Sequence, residues 1–192
     1  MHSPGVCGVI LAAGSQAGAD AAQWKTKAEG VTSLIDALNS DTEMVLVAVG
    51  TDAEALAPVI WGKAAYMVQL PVGVSDAQAL RTMLQEVLNR GRDAVIVTSL
   101  HIAGLTAETV HRMVAAYCAA GDDVWAVVPE TEMLQGHPVL MGRSMIELFL
   151  RGQQWNAVDE ILSASREHVH TIKVTDPMAA VVTDTGWKAP WD

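Results

Sequence analysis

The stretch Val6-Cys7-Gly8-Val9-Ile10-Leu11-Ala12-Ala13-Gly14-Ser15 decides how the rest of the chain is read. Its first part is apolar on both faces, the pattern of a central strand in a parallel sheet covered by helices on both sides. Ala12 to Ser15 are all small, and Gln16 to Asp20 continue as loop. Small residues directly after a buried strand let the backbone approach a ligand closely, and successive amides of such a turn can hold phosphate oxygens. The bland alternative is a tight strand-to-helix turn. The stretch is neither a Walker loop, because no Gly-Lys-Ser/Thr follows, nor a dinucleotide fingerprint, because Gly8 lies inside the strand.

Outward from this strand, short apolar runs alternate with amphipathic stretches. The runs are Met44 to Val49, Ala65 to Val68, Ala94 to Val97 and Val124 to Val128, with weaker ones at Thr171 to Val174 and Ala179 to Val182. Ser75 with Gln78 predicts a capping box, and Leu80, Met83, Leu84, Val87 and Leu88 give the helix that follows an apolar face ending at Gly91. Thr106 predicts another cap, ahead of Val110, Met113, Val114 and Tyr117. Further helices are expected around Ser33 to Leu38, Ala53 to Trp61, Ser144 to Leu150 and Ala157 to Ser163. The tail from Gly186 to Asp192 reads as irregular. This alternation predicts a layered α/β domain with a mostly parallel sheet, and ligands in such a sheet bind beyond the carboxyl ends of strands.

Composition bounds the function. The chain has 192 residues, with Lys+Arg 12 against Asp+Glu 22 and a formal net charge of -10, so a groove for nucleic-acid phosphates is not expected. A hydrophobic fraction of 51% supplies a sizeable core, and no apolar run reaches the roughly 18 residues of a membrane span. Cys7 and Cys118 lie far apart in apolar stretches, which implies neither a disulfide framework nor a Cys-rich metal site and points to the cytosol. No Arg precedes Arg81. An anion site in the first half must therefore use Lys25, Lys27, Lys63 or backbone amides.

Val9 to Ser15 resemble the opening of the MobA-like nucleotidyltransferases, the family of molybdenum cofactor guanylyltransferases and cytidylyltransferases, whose first strand runs into Leu-Ala-Ala-Gly-x-Ser. The family's loop Arg is absent here. Lys25 falls near its lysine, with Lys27 as the competing alignment. Met44 to Gly50 with Thr51, Asp52, Ala53 and Glu54 resemble its second strand and Gly-x-Asp turn, and Leu80 to Leu84 its Ser-Leu-Arg-x-x-Leu helix. Val95 to Ala103 resemble a strand and Asp-x-Pro turn in which His101 replaces the metal-binding Asp and Ala103 the Pro. Gly136, His137 and Pro138 match its Gly-His-Pro-Val segment, and Asp184 with Thr185 its closing Asp-x-Asp-Thr.

The resemblance implies a three-layer α/β/α sandwich of the nucleotide-diphospho-sugar transferase type, Rossmann-like, over one domain spanning residues 1–192. It implies transfer of a nucleoside monophosphate from CTP or GTP to a small phosphorylated acceptor such as molybdopterin, with release of pyrophosphate. Leu11, Ala12, Ala13, Gly14, Ser15 and Lys25 would then hold the nucleotide, with Lys25 and Asp184 as the catalytic pair. Gly136, His137 and Pro138 would face the acceptor, and Asp184 and His101 a divalent metal, Mg²⁺ or Mn²⁺. Such chemistry needs positioning and positive charge rather than a nucleophile. A second class stays open: a nucleotide- or pterin-binding regulatory protein on the same fold, as the missing Arg, Asp and Pro suggest.

Overall fold

The computed structural model describes residues 5–13, 21–100, 104–130, 137–152 and 154–174, with side chains described from residue 25 onward in the first helix. The expected strand at Ala179 to Val182, the tail, and the loop from Gly14 to Asp20 lie outside the described residues.

Strand β1 (Val6–Leu11) leads to helix α1 (Ala21–Leu38), β2 (Met44–Val49), α2 (Ala53–Trp61), β3 (Tyr66–Gln69), α3 (Asp76–Asn89) and β4 (Ala94–Ser99). There follow α4 (Ala107–Ala119), β5 (Ala126–Glu130), β6 (Val139–Gly142), α5 (Arg143–Arg151), α6 (Val158–Ala164) and β7 (Val169–Lys173). The predicted caps form: the Ser75 and Gln78 side chains satisfy each other's backbone amides, and the Thr106 hydroxyl accepts from the Thr109 amide at 3.3 Å. Gly91 turns the chain after α3 at φ +71°, a conformation that costs a side-chain-bearing residue energy.

The seven strands form one sheet in the order β3-β2-β1-β4-β6-β5-β7. Neighbours are parallel except β6, which runs antiparallel to both β4 and β5. The short connection from Glu130 to Val139 explains this, because a parallel partner needs a crossover of a dozen or more residues. In the sequence, Gly136-His137-Pro138 reads as a turn entering a strand, but Val139 to Gly142 is too short an apolar run to show the direction of β6. The sequence pattern also placed the first helix at Ser33 to Leu38, missing its opening turns, where Lys, Thr and Gln blur the apolar stripe.

Both faces of the sheet are covered, which produces the three layers. On one face, Val6, Ile10, Val45, Val47 and Ile96 pack against Val31, Leu34, Ile35 and Leu38 of α1, Leu56 and Ile60 of α2, and Val110 and Met113 of α4. On the other, Cys7, Val9, Leu46, Val95, Val97 and Met141 meet α3, α5 and α6 through Leu80, Leu84, Phe149 and Ile161. Gly8 sets the height of α1 over β1: a Cβ there would lie 3.0 Å from Leu38 Cδ1 and 3.2 Å from Val45 Cγ2.

Candidate functional site

From β1 the chain winds to β2 and β3 on one side, then crosses to β4 on the other. The switch in strand order thus falls between β1 and β4, and the crevice beyond their carboxyl ends is where such sheets bind ligands. Leu11 pairs with Ser99 across this point. The Ala12 amide is already used, donating to Ala48 O at 3.0 Å, so the chain leaves β1 still bonded to β2. Gly50, at the end of β2, sits so close that a Cβ would lie 3.0 Å from Ala13 O. Gly14 and Ser15 lie outside the described residues.

Lys27 is carried on the inward stripe of α1, one turn before Val31, and its ammonium contacts the Asp52 carboxylate. Both side chains are nearly buried, at 9% and 6% exposure. Asp52 Oδ1 also accepts from the Gly50 amide at 3.2 Å, which ties the α2 start to the end of β2. Lys27 thus brings a cation to the carboxyl edge on the side of β1 and β2. Lys25 lies two residues away on the outer face, 77% exposed, with Glu29 at 3.9 Å. Thr98, across from Ile10 near the end of β4, has a buried hydroxyl with no hydrogen-bond partner among the described residues.

The opposite flank of the crevice begins at β6. Val139 pairs with Val97, so His137 and Pro138 stand beside the exit of β4, joined by a cis peptide bond. Burial pushes the His137 imidazole down to about 4. Its Nε2 lies 4.0 Å from Oδ1 of Asp159, a residue of the first turn of α6. Burial raises the Asp159 carboxyl to about 7, with Glu160 adding to the rise. Nothing in the sequence pointed to Asp159, because 22 residues and a helix separate it from His137 along the chain.

Arg81 belongs to the scaffold. Its guanidinium donates to the carbonyls of Phe149 at 2.7 Å, Gly152 at 2.6 Å and Trp155 at 3.0 Å, closing the end of α5, and lies over the Phe149 ring. Arg143 pairs with Asp93 and Glu147 at the amino edge of the sheet. His168 stacks on Trp125 with ring centres 3.7 Å apart, and His111 bonds Asp41 at 2.8 Å. A groove of about 520 Å³ opens after β3, lined by Pro71 to Val74, Gln78, Arg81 and Thr82. Val72 is 80% exposed there.

Metal ligation is the weakest feature of the described site. Among the described residues, no group of three His, Cys, Asp or Glu could hold a metal ion, and Asp52 is neutralised by Lys27. His101, Asp184 and Gly136 lie outside the described residues.

Sheet order, covered faces and switch point define a three-layer, mostly parallel, Rossmann-like α/β fold. Solved structures with this fold include Rv0371c from Mycobacterium tuberculosis H37Rv, 20% identical, with a TM-score of 0.74 over 96% of this chain and 95% of that one. A manganese complex of the same protein superposes with a TM-score of 0.71 at 19% identity, over 94% of each chain. The 4-diphosphocytidyl-2C-methyl-D-erythritol synthase from Anaerococcus prevotii follows at 0.68, with 12% identity over 95% of this chain and 92% of that one. A nucleotidyl transferase from Methanothermobacter superposes at 0.67, with 13% identity over 90% and 88% of the two chains. No family model matches the chain, and no curated protein sequence does. At these identities the shared property is the fold.

Proposed function

We propose that the chain is a nucleotidyltransferase that binds a nucleoside triphosphate in the crevice between β1 and β4 and passes its nucleoside monophosphate to a small phosphorylated acceptor. The observation that carries this reading is the inward Lys27, brought to the carboxyl ends of β1 and β2 with its charge held by Asp52. A lysine placed there meets a phosphate as a compact point charge. In this reading Lys27 takes the part that the family resemblance gave to Lys25, and Lys25 stays at the rim. Ala13, Gly14 and Ser15 supply backbone to the phosphates, and the groove at Pro71 to Val74 takes the base of CTP or GTP.

Gly136, His137 and Pro138 face the acceptor, for which molybdopterin is the proposed case, within one domain of residues 1–192 acting in the cytosol. Mg²⁺ or Mn²⁺, if used, rests on Asp184 with His101. Mg²⁺ is served better by the carboxylate, and Mn²⁺ tolerates the imidazole.

A second reading is favoured by one observation: the nearby cations are already engaged. Lys27 is paired with Asp52, and Arg81 with carbonyls. A protein that binds a nucleotide or a pterin without turnover fits that arrangement. Thermal melts of the protein with CTP, GTP, ATP and UTP, with and without Mg²⁺ or Mn²⁺, separate the readings. Ligand at about 100 times Kd stabilises by roughly 2.7 kcal/mol. Stabilisation by one triphosphate, absent in Lys27→Met, together with pyrophosphate release on adding molybdopterin, supports the transferase. Binding without pyrophosphate release supports the second reading, and the absence of any triphosphate effect overturns both nucleotide readings.

A further inference from the structure

Strand β3 lies at one edge of the sheet and, among the described strands, pairs with β2 alone. The Leu70 amide donates to Val49 O at 2.8 Å. Backbone groups alternate in direction along a strand, so the N–H and C=O of Met67 and Gln69 point away from β2. Natural sheets blunt such an edge with charges, Pro or bulges. Tyr66–Gln69 carries no charge and no Pro and pairs with β2 in unbroken register, whereas β7 at the other end of the sheet carries His170 and Lys173. Among the described residues the large apolar side chains left exposed are Trp61, Tyr66 and Val72, and all three lie on or next to β3. Val72 lines the groove already described. Val68 packs on the α3 side of the sheet, a side that Tyr66 shares, while α2, which Trp61 ends, covers the other. Exposed aromatic surface thus flanks the open edge on both sides.

We propose that β3 is the seam of a homodimer, in which the sheets of two copies join antiparallel about a two-fold axis at Val68. The outward groups are symmetric about that residue. Met67 of each copy exchanges both backbone bonds with Gln69 of the other, and the Val68 side chains face each other across the axis. Charge favours a second copy as the occupant. Helix α2 carries the exposed Glu54 in its first turn, at the carboxyl edge of the sheet. Lys63 follows its last turn at the amino edge, holding Asp36 at 2.8 Å while staying 39% exposed. The two-fold axis sets Lys63 of each copy against Glu54 of the other, whereas a parallel pairing sets like against like. Opposite charges so placed fix register and orientation more than they add affinity. Short strands bury little area, which makes this a weak, concentration-dependent dimer rather than an obligate one.

Sedimentation velocity on the full chain, at roughly micromolar to submillimolar concentrations, reads the association. The parent protein is expected to pass from monomer to dimer over that range. Gln69→Pro takes one N–H from each side of the seam and spares the bonds to β2, since Pro is tolerated on an edge strand where its missing N–H faces outward. It should weaken the dimer about tenfold or more, with an unchanged circular dichroism spectrum. If that variant misfolds, the charges decide without touching the strand. Glu54→Lys and Lys63→Glu, each alone, should weaken the dimer at low salt, and both in one chain should restore it. A parent protein that is monomeric throughout, a folded Gln69→Pro variant that dimerises as the parent does, or a double charge variant no tighter than the single ones overturns the pairing.

Discussion

The Lys27 ammonium rests on the Asp52 carboxylate across 25 residues of chain, joining α1 to the end of β2 with both side chains nearly buried. Breaking one partner of such a pair leaves the other charge uncompensated, whereas replacing both with apolar groups is often close to neutral. Lys27→Met and Asp52→Ala are each expected to cost about 3–5 kcal/mol in urea unfolding. The double variant Lys27→Met with Asp52→Leu should recover most of that loss. Two single losses that simply add would show that the pair is not coupled.

Arg81 is a scaffold residue, and its replacement should unfold rather than inactivate. Its planar fork donates to three carbonyls at or beyond the end of α5, and a lysine offers no such fork. Arg81→Lys is therefore expected to cost roughly 2–3 kcal/mol, the scale of a hydrogen bond from a charged donor. Arg81 also lines the groove after β3, so nucleotide affinity is measured separately, well below the melting point. A variant that keeps its stability but loses the ligand would move Arg81 into the binding site.

Opposed protonation at His137 and Asp159 makes a distinctive pH profile. The imidazole falls from 6.5 to about 4 on folding, so the unfolded chain binds the extra proton and this term makes stability rise with pH between about 4 and 6.5. The carboxyl rises from 3.8 to about 7. Here the folded chain holds the extra proton, and stability falls as pH climbs through the same range. The two slopes cancel in the parent protein between about pH 4 and 6.5. Relative to it, Asp159→Asn should grow more stable with rising pH over that window, and His137→Asn less stable. Urea midpoints at about pH 4.5 and 6.5 measure the difference, and identical slopes in all three proteins would contradict the assignment.

Gly8 has no room for a methyl group, with Leu38 Cδ1 and Cβ at 3.0 and 3.1 Å from where it would lie. Gly8→Ala should destabilise by about 1–3 kcal/mol through overpacking. Shortening the partner, Leu38→Ala, should cost less in the Gly8→Ala background than in the parent, because the added methyl takes up part of the space. Equal costs in both backgrounds would remove the contact from the account.

The two cysteines should differ sharply in reactivity. Cys7 is fully buried and its thiol is pushed up to about 12 by desolvation, while Cys118 is exposed. Since the thiolate is the reactive form, alkylation of the native protein is expected at Cys118 alone, with Cys7 reacting only in denaturant. Peptide mass analysis reads the outcome directly.

What the sequence determined by itself was the layered fold, because apolar runs at Val6 to Ala12, Met44 to Val49 and Ala94 to Val97 can only be buried on both faces, and caps such as Ser75 and Thr106 mark the helices between them. Those signals are local and survive without knowledge of the partners. The antiparallel β6 was not legible, since its direction follows from the length of the connection and from the gap beside β4. The site was decided mostly by tertiary structure. Lys25 and Lys27 are two residues apart on a helix, and the turn of 100° per residue sends one outward and the other inward; the phase of that turn is fixed by where Val31 and Leu38 pack. Arg81 is taken up by carbonyls that the end of α5 brings to it, and Asp159 comes near His137 only because α6 packs beside β6. Periodicity records which residues face the core, but which charges meet there depends on contacts between segments far apart in the chain.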